Sequence, residues 1–221
     1  MTLDRPALRR LAPWILAAAL LPFLPACVPV AAVGVGAGAL MITDRRASET
    51  YITDEGIEIR AANRINEKLG ERAHVNVTSY NRTVLLTGEV PDAAARTEAE
   101  KLAATTPNVK AIQNELQVAG VSSLSARSND AYITSKVKAR FVDANKFSAN
   151  HVKVVTEGGA VYLLGLVTKR EADAAVDIAR TTGGVLKVIR VFEMISEEQA
   201  RQADNRADAG AEKKAEPAAK K

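Results

Sequence analysis

The chain has 221 residues, with 30 basic residues against 26 acidic ones, a net charge of +4 and a pI near 9.2. That balance is too even to argue for nucleic acid as a partner. The single cysteine, Cys27, excludes an intramolecular disulfide and any cysteine-built metal cluster. Aromatics are only 4% of a chain that is 47% hydrophobic, so its cores must rest on Val, Ile, Leu and Ala, which suits small modules better than one large core.

Arg5, Arg9 and Arg10 give the N-terminus a positive start, and an apolar run from Leu11 to Leu24 follows. Pro13, Pro22 and Pro25 interrupt the run, and it is too short for the ~20 residues that a membrane span needs. Residues 1–26 therefore read as an export signal. Its end, Leu24-Pro25-Ala26-Cys27, resembles a bacterial lipobox, with Pro25 as a departure at the middle position. The resemblance implies cleavage before Cys27 and acylation of its thiol and its new amino terminus. The alternative is a plain secretory signal with an incidental cysteine. Val28, and not Asp, follows Cys27. By resemblance to sorting in enteric bacteria, that implies the outer membrane, with the protein facing the periplasm. Residues 27–48 read as the acylated cysteine and a flexible tether. Gly34, Gly36 and Gly38 sit in it without the strand–turn–helix context of a phosphate loop.

The rest of the mature chain repeats itself. His74-Val75-Asn76-Val77 matches His151-Val152-Lys153-Val154, and Val84-Leu85-Leu86-Thr87-Gly88 matches Val161-Tyr162-Leu163-Leu164-Gly165. Both matches are offset by 77 positions. Each copy opens with a helix. The expected cap is Asp54 in the first copy and Asp130 in the second, with apolar stripes Ile57, Ala61, Ile65, Leu69 and Ile133, Val137, Phe141. A hairpin of alternating strands follows, turning at Tyr80-Asn81-Arg82 and at Glu157-Gly158-Gly159, and ending at Gly88 and Gly165. An alanine-rich helix and a last strand, Ala111–Val118 or Leu186–Phe192, complete each copy. The order α-β-β-α-β lets two helices cover a three-stranded sheet. The expected class is α+β, with modules at residues 49–119 and 128–194, a Ser-rich linker at 120–127 and a disordered or loosely helical tail at 195–221.

These residues resemble BON domains, a bacterial module. A lipobox, then Thr43-Asp44-Arg45-Arg46, then two such modules is similar to the dual-BON outer-membrane lipoproteins, over about Thr43 to Phe192. Ser128-Asn129-Asp130-Ala131-Tyr132-Ile133-Thr134-Ser135-Lys136-Val137 is especially close to that family's second module. The resemblance implies binding of anionic phospholipid through the first helix of the second module, support of envelope integrity, and gathering at division sites. The matching residues are Asn129, Asp130, Tyr132, Ile133, Lys136 and Val137. Tyr132 lies about a quarter turn from the core stripe, where an aromatic with a polar tip suits a membrane interface. Lys136, Lys138 and Arg140 are placed to meet anionic headgroups. The alternative is that Tyr132 rims the core and the bases are solvated.

Nothing in the sequence assembles catalytic chemistry, and no cofactor or metal is expected. His74 and His151 fall at one repeated position with no carboxylate nearby in sequence, which reads as inherited structure. Glu157 and Asp173 are candidates for an acid and a base, but turn and helix-surface charges are the usual reading. Lys213, Lys214, Lys220 and Lys221 read as a solvated tail, with contact to anionic lipid as the alternative. A second functional reading is a periplasmic scaffold for outer-membrane assembly factors, using sheet edges such as Ala111–Val118.

Overall fold

The structure, a computed structural model, describes residues 44–215. Cys27, the export signal, most of the tether, Lys220 and Lys221 lie outside the described residues, as do the side chains of Lys213 and Lys214.

The first copy runs α1 (Ser48–Leu69), β1 (His74–Tyr80), β2 (Thr83–Val90), α2 (Ala93–Ala104), β3 (Ala111–Asn114) and β4 (Gln117–Val118). The second runs α3 (Leu124–Ala144), β5 (Lys153–Glu157), β6 (Ala160–Val167), α4 (Lys169–Arg180) and β7 (Lys187–Met194), with α5 (Glu197–Ala215) after it. Each copy is the expected α-β-β-α-β module. Its first two strands form an antiparallel hairpin, and its last strand returns through the second helix to lie parallel to the middle one. In the first copy that last strand is in two pieces, β3 and β4, both paired to β2. Leu116, between them, is buried in the core.

Both helices of a module pack on one face of its sheet. Ile57, Ile65 and Leu69 meet Val84, Leu86 and Ala99 in the first module. Ile133, Val137 and Phe141 meet Val154, Val161, Leu163 and Ala175 in the second. The other sheet faces, which the alternating pattern leaves to solvent in a lone module, pack against each other. Tyr80 and Leu85 join Tyr162 and Leu164 in a third cluster, edged by Val155, Ile189 and Val191. The layers are thus helices, sheet, sheet, helices. Fully burying a side chain such as Leu85 or Leu164 contributes about 1.5–3 kcal/mol, so this seam is a genuine core. Asn76 donates to Glu157, Asn81 to Glu193 and Lys153 to Glu58 across it. Burial, with Glu115 and Glu157 nearby, pushes the Tyr162 phenol up to about 12.

Several expectations are corrected. Asp54 and Asp130 do not cap helices. α1 begins at Ser48, and α3 begins at Leu124 with the Ser123 side chain accepting from the Ala126 amide. The Ser-rich linker is correspondingly shorter, because Ser123 is itself a good cap and no breaker follows it. The two aspartates are instead buried at 2% and 6% exposure and hold the hairpin turns. Asp130 accepts from the amides of Gly158 and Gly159. Asp54 accepts from the amides of Asn81 and Arg82 and from the Ser79 hydroxyl. All four turn residues have positive φ, as the tight two-residue turn that matches strand twist requires. Gly-Gly takes that geometry freely; Asn81-Arg82 does not, and the extra bonds to Asp54 compensate.

Gly88 and Gly165 lie inside β2 and β6 and do not end the hairpins. A Cβ there would come within 2.0 Å of the His74 carbonyl oxygen or 2.3 Å of that of His151. The neighbouring strand's close approach, and not a bend, is what demands glycine. Of the two readings of the tail, the helical one holds over Glu197–Ala215. Ser196 and Gln199 cap it reciprocally, and Ala200 and Ala203 are buried.

Candidate functional site

The first half of α3, the turn between β5 and β6, and the loop between α4 and β7 meet at one edge of the second module. Asp130 ties the helix to the turn. The Leu186 amide donates to the Gly159 carbonyl, and its side chain lies over Gly159. Gly184, at φ +98°, sits on Ile133. Lys136 Nζ donates to the Gly183 carbonyl and lies 4.8 Å over the Tyr132 ring. The result is a rim on which Tyr132 is 62% exposed and Leu186 is 82% exposed, with a cation between the aromatic and the glycine loop. Exposed apolar side chains of this size beside a lysine make an amphipathic patch suited to a lipid–water interface.

The six residues singled out from the sequence divide. Asn129, Tyr132 and Lys136 reach the surface. Asp130, Ile133 and Val137 are buried, the first on the hairpin turn and the other two in the core, so they support the patch without presenting a side chain to a ligand. The two further bases do not join it. Arg140 donates to the Ile178 carbonyl and the Thr182 hydroxyl. Lys138 points around the helix to a cleft lined also by Asp44, Tyr51 and Lys153, as 100° per residue dictates. Leu186 was missed because it was read as the first residue of the last strand. It precedes β7 and stands in the loop. A sign of this was present in the repeat: Gly183-Gly184 just ahead of it favours a loop over a strand.

The first module supplies an internal comparison. Asp54 answers Asp130, and Arg64 donates to Leu102 and Thr106 as Arg140 does to Ile178 and Thr182. At the same spacing Gly56 stands where Tyr132 is, Arg60 where Lys136 is, and Lys110 where Leu186 is. At these three positions the scaffold is duplicated and the apolar rim is not.

The histidines gain in space the carboxylates they lack in sequence. His74 Nδ1 lies 3.3 Å from Glu89. His151 lies 3.5 Å from both Glu171 and Asp204. Glu171 is buried with Arg45. Burial alone would raise its carboxyl, but the His151 ring and the Arg45 guanidinium outweigh that and hold it well below the usual carboxylate range. Glu157 faces the other module and is raised, first by burial. Asp173 pairs with Lys169 on the helix surface.

The family model of the BON domain matches residues 54–120 and again residues 129–195. The chain belongs to the BON-domain family. The two BON matches fall on the two modules seen in the fold. The chain is 37% identical over 175 residues to "Outer membrane lipoprotein DolP" of Haemophilus influenzae, covering 78% of this chain and 91% of that one. It is 36% identical over 154 residues to the "21 kDa hemolysin" of Actinobacillus pleuropneumoniae, covering 69% and 79%. It is 32% identical over 117 residues to "Osmotically-inducible protein Y" of Escherichia coli K12, covering 52% and 58%. Among the described residues, no helix of this BON protein is long and apolar enough to cross a membrane.

Proposed function

We propose that this protein is an outer-membrane lipoprotein, anchored through Cys27 and facing the periplasm, whose second BON module binds anionic phospholipid and so supports envelope integrity. The observation that carries the lipid reading is the asymmetry of the two modules. One scaffold is used twice, yet Tyr132 and Leu186 are exposed on the second copy where Gly56 and Lys110 stand on the first. An apolar side chain left in water has no folding benefit, and one that enters a bilayer gains about 1.5–3 kcal/mol on full burial. Lys136 then meets the headgroup layer, where a base is favoured by about 1 kcal/mol. The relative named an outer membrane lipoprotein supports the location, as does the lipobox-like segment ending at Cys27.

The test is flotation of protein lacking the residues before Thr43 with anionic liposomes. The expected result is that it floats, and that Tyr132→Ala and Leu186→Ala each weaken binding about 10-fold with the fold intact. No flotation without the anchor overturns the lipid reading. It would favour an interaction scaffold, for which outer strand edges such as Ala111–Val118 are available. Fatty-acid labelling that is lost in Cys27→Ala tests the anchor.

A further inference from the structure

His74 and Glu89 face each other in register at one end of the hairpin formed by β1 and β2. Glu157, at the end of β5, comes to them from the second BON module. One donor atom from each of the three lies within 4.8 Å of both others. We infer that His74, Glu89 and Glu157 form a divalent transition-metal site, zinc by its donor chemistry, that clamps the first module to the second.

Four features support the site. An imidazole with two carboxylates is a donor set that zinc accepts, with a fourth position left for water. Two ligands at ~2.0–2.1 Å from a tetrahedral ion lie ~3.3–3.4 Å apart, and His74 Nδ1 is 3.3 Å from Glu89 Oε2. That separation is long for a charge-assisted hydrogen bond, at ~2.7–2.9 Å. The second feature is unmet polarity. Ser122 Oγ is buried without a hydrogen-bond partner, while the Ser122 amide donates to Glu89. The Thr87 hydroxyl, on the same sheet face two register pairs in from Glu89, is wholly buried and faces Glu157.

The third feature is how Glu157 is held. The Asn76 amide donates to it at 2.8 Å and fixes its orientation, as a hydrogen-bonding partner usually does for a ligating carboxylate. The fourth feature is access. A cleft of about 370 Å³, lined by His74, Asn76, Thr134 and Glu157, opens onto the site. The site lies at the His74 end of β1, and near the Tyr80 end Lys153 of the second module donates to Glu58 and to the Ser79 carbonyl of the first, so the two halves are fastened at both ends of the same strand.

The experiment uses the purified full chain in detergent, stripped with EDTA and titrated with zinc chloride in a calorimeter. A cobalt titration followed by visible absorption reports ligand geometry. The expected result is one zinc per chain, a rise in the midpoint of thermal unfolding, and loss of at least ~10-fold in affinity in His74→Ala and in Glu157→Gln. Circular dichroism of the metal-free variants checks that they fold. No saturable binding, or folded variants that bind as the natural chain does, overturns the site. Affinity lost in His74→Ala but kept in Glu157→Gln overturns the clamp.

Discussion

Arg45 and Arg46 are neighbours in sequence and grip different modules. Arg45 reaches into the second, where its guanidinium donates to both carboxylate oxygens of Glu171, to Asp204 and to the Leu166 carbonyl. Arg46 turns to the first, where it meets Asp44 and Asp54 and stacks on Tyr51 and Tyr80. The segment ahead of the modules therefore straps them together.

Removing one side of a buried ion pair leaves the other charge stranded. Arg45→Ala is expected to cost about 3–5 kcal/mol in urea unfolding, because it removes the guanidinium paired with the buried Glu171 carboxylate. Arg45→Lys is expected to recover little, since a point charge cannot reproduce the two-pronged contact. An Arg45→Ala protein as stable as the natural chain would dismiss the strap.

The buried Glu171 carboxyl also sets an acid limb. Its ordinary value is 4.5 and its folded value lies well below that. The stabilisation is therefore present in full above about pH 4.5 and is lost as the pH falls below it, because the unfolded chain takes up the proton first. Urea midpoints measured from pH 6 down to pH 3 are expected to fall less steeply in Glu171→Gln. Equal slopes in the two proteins would remove Glu171 from the account.

The seam between the sheets is open to a direct test. Leu85→Asp or Leu164→Asp places an unpaired charge in the cluster with Tyr80 and Tyr162. The expected outcome is a larger radius of gyration by X-ray scattering with helical content retained, as the modules part while each keeps its own core. An unchanged radius would mean that the seam is dispensable.

The two turn-holding aspartates should differ in weight. Asp130→Ala orphans two amides, for an expected loss of about 2–6 kcal/mol at ~1–3 kcal/mol for each unsatisfied group. Asp54→Ala also orphans the Ser79 hydroxyl and takes one of two carboxylate partners from Arg46, and should cost more. Faster hydrogen exchange at Gly158 and Gly159 in Asp130→Ala, and at Asn81 and Arg82 in Asp54→Ala, checks the local cause.

The modules were legible in the sequence because their determinants are local and doubled. Four-residue stripes such as Ile57, Ala61, Ile65 and Leu69, alternation in Val75 and Val77, and the same signals 76 or 77 positions on specify helix, hairpin and repeat without reference to anything distant. The position of the patch was what the family resemblance implied; Tyr132, one aromatic off the core stripe, agrees with it. The local signals failed where a residue serves a partner far along the chain. Asp130 looks like a cap because its hydrogen-bonding partners, 28 and 29 residues away, are invisible to a short window. Leu186 looks like the start of a strand until the Gly159 turn is beneath it.

Sequence alone therefore determined that there are two modules, what order their elements take and which residues fill each core. Tertiary structure decided which second face each sheet buries, what Arg45 and Arg46 hold, and which of His74, Glu89 and Glu157 are neighbours. Periodicity states that a side chain points away from its own helices. Whether that side chain meets water or another sheet depends on the packing of surfaces made from residues some 80 positions apart, such as Leu85 and Leu164.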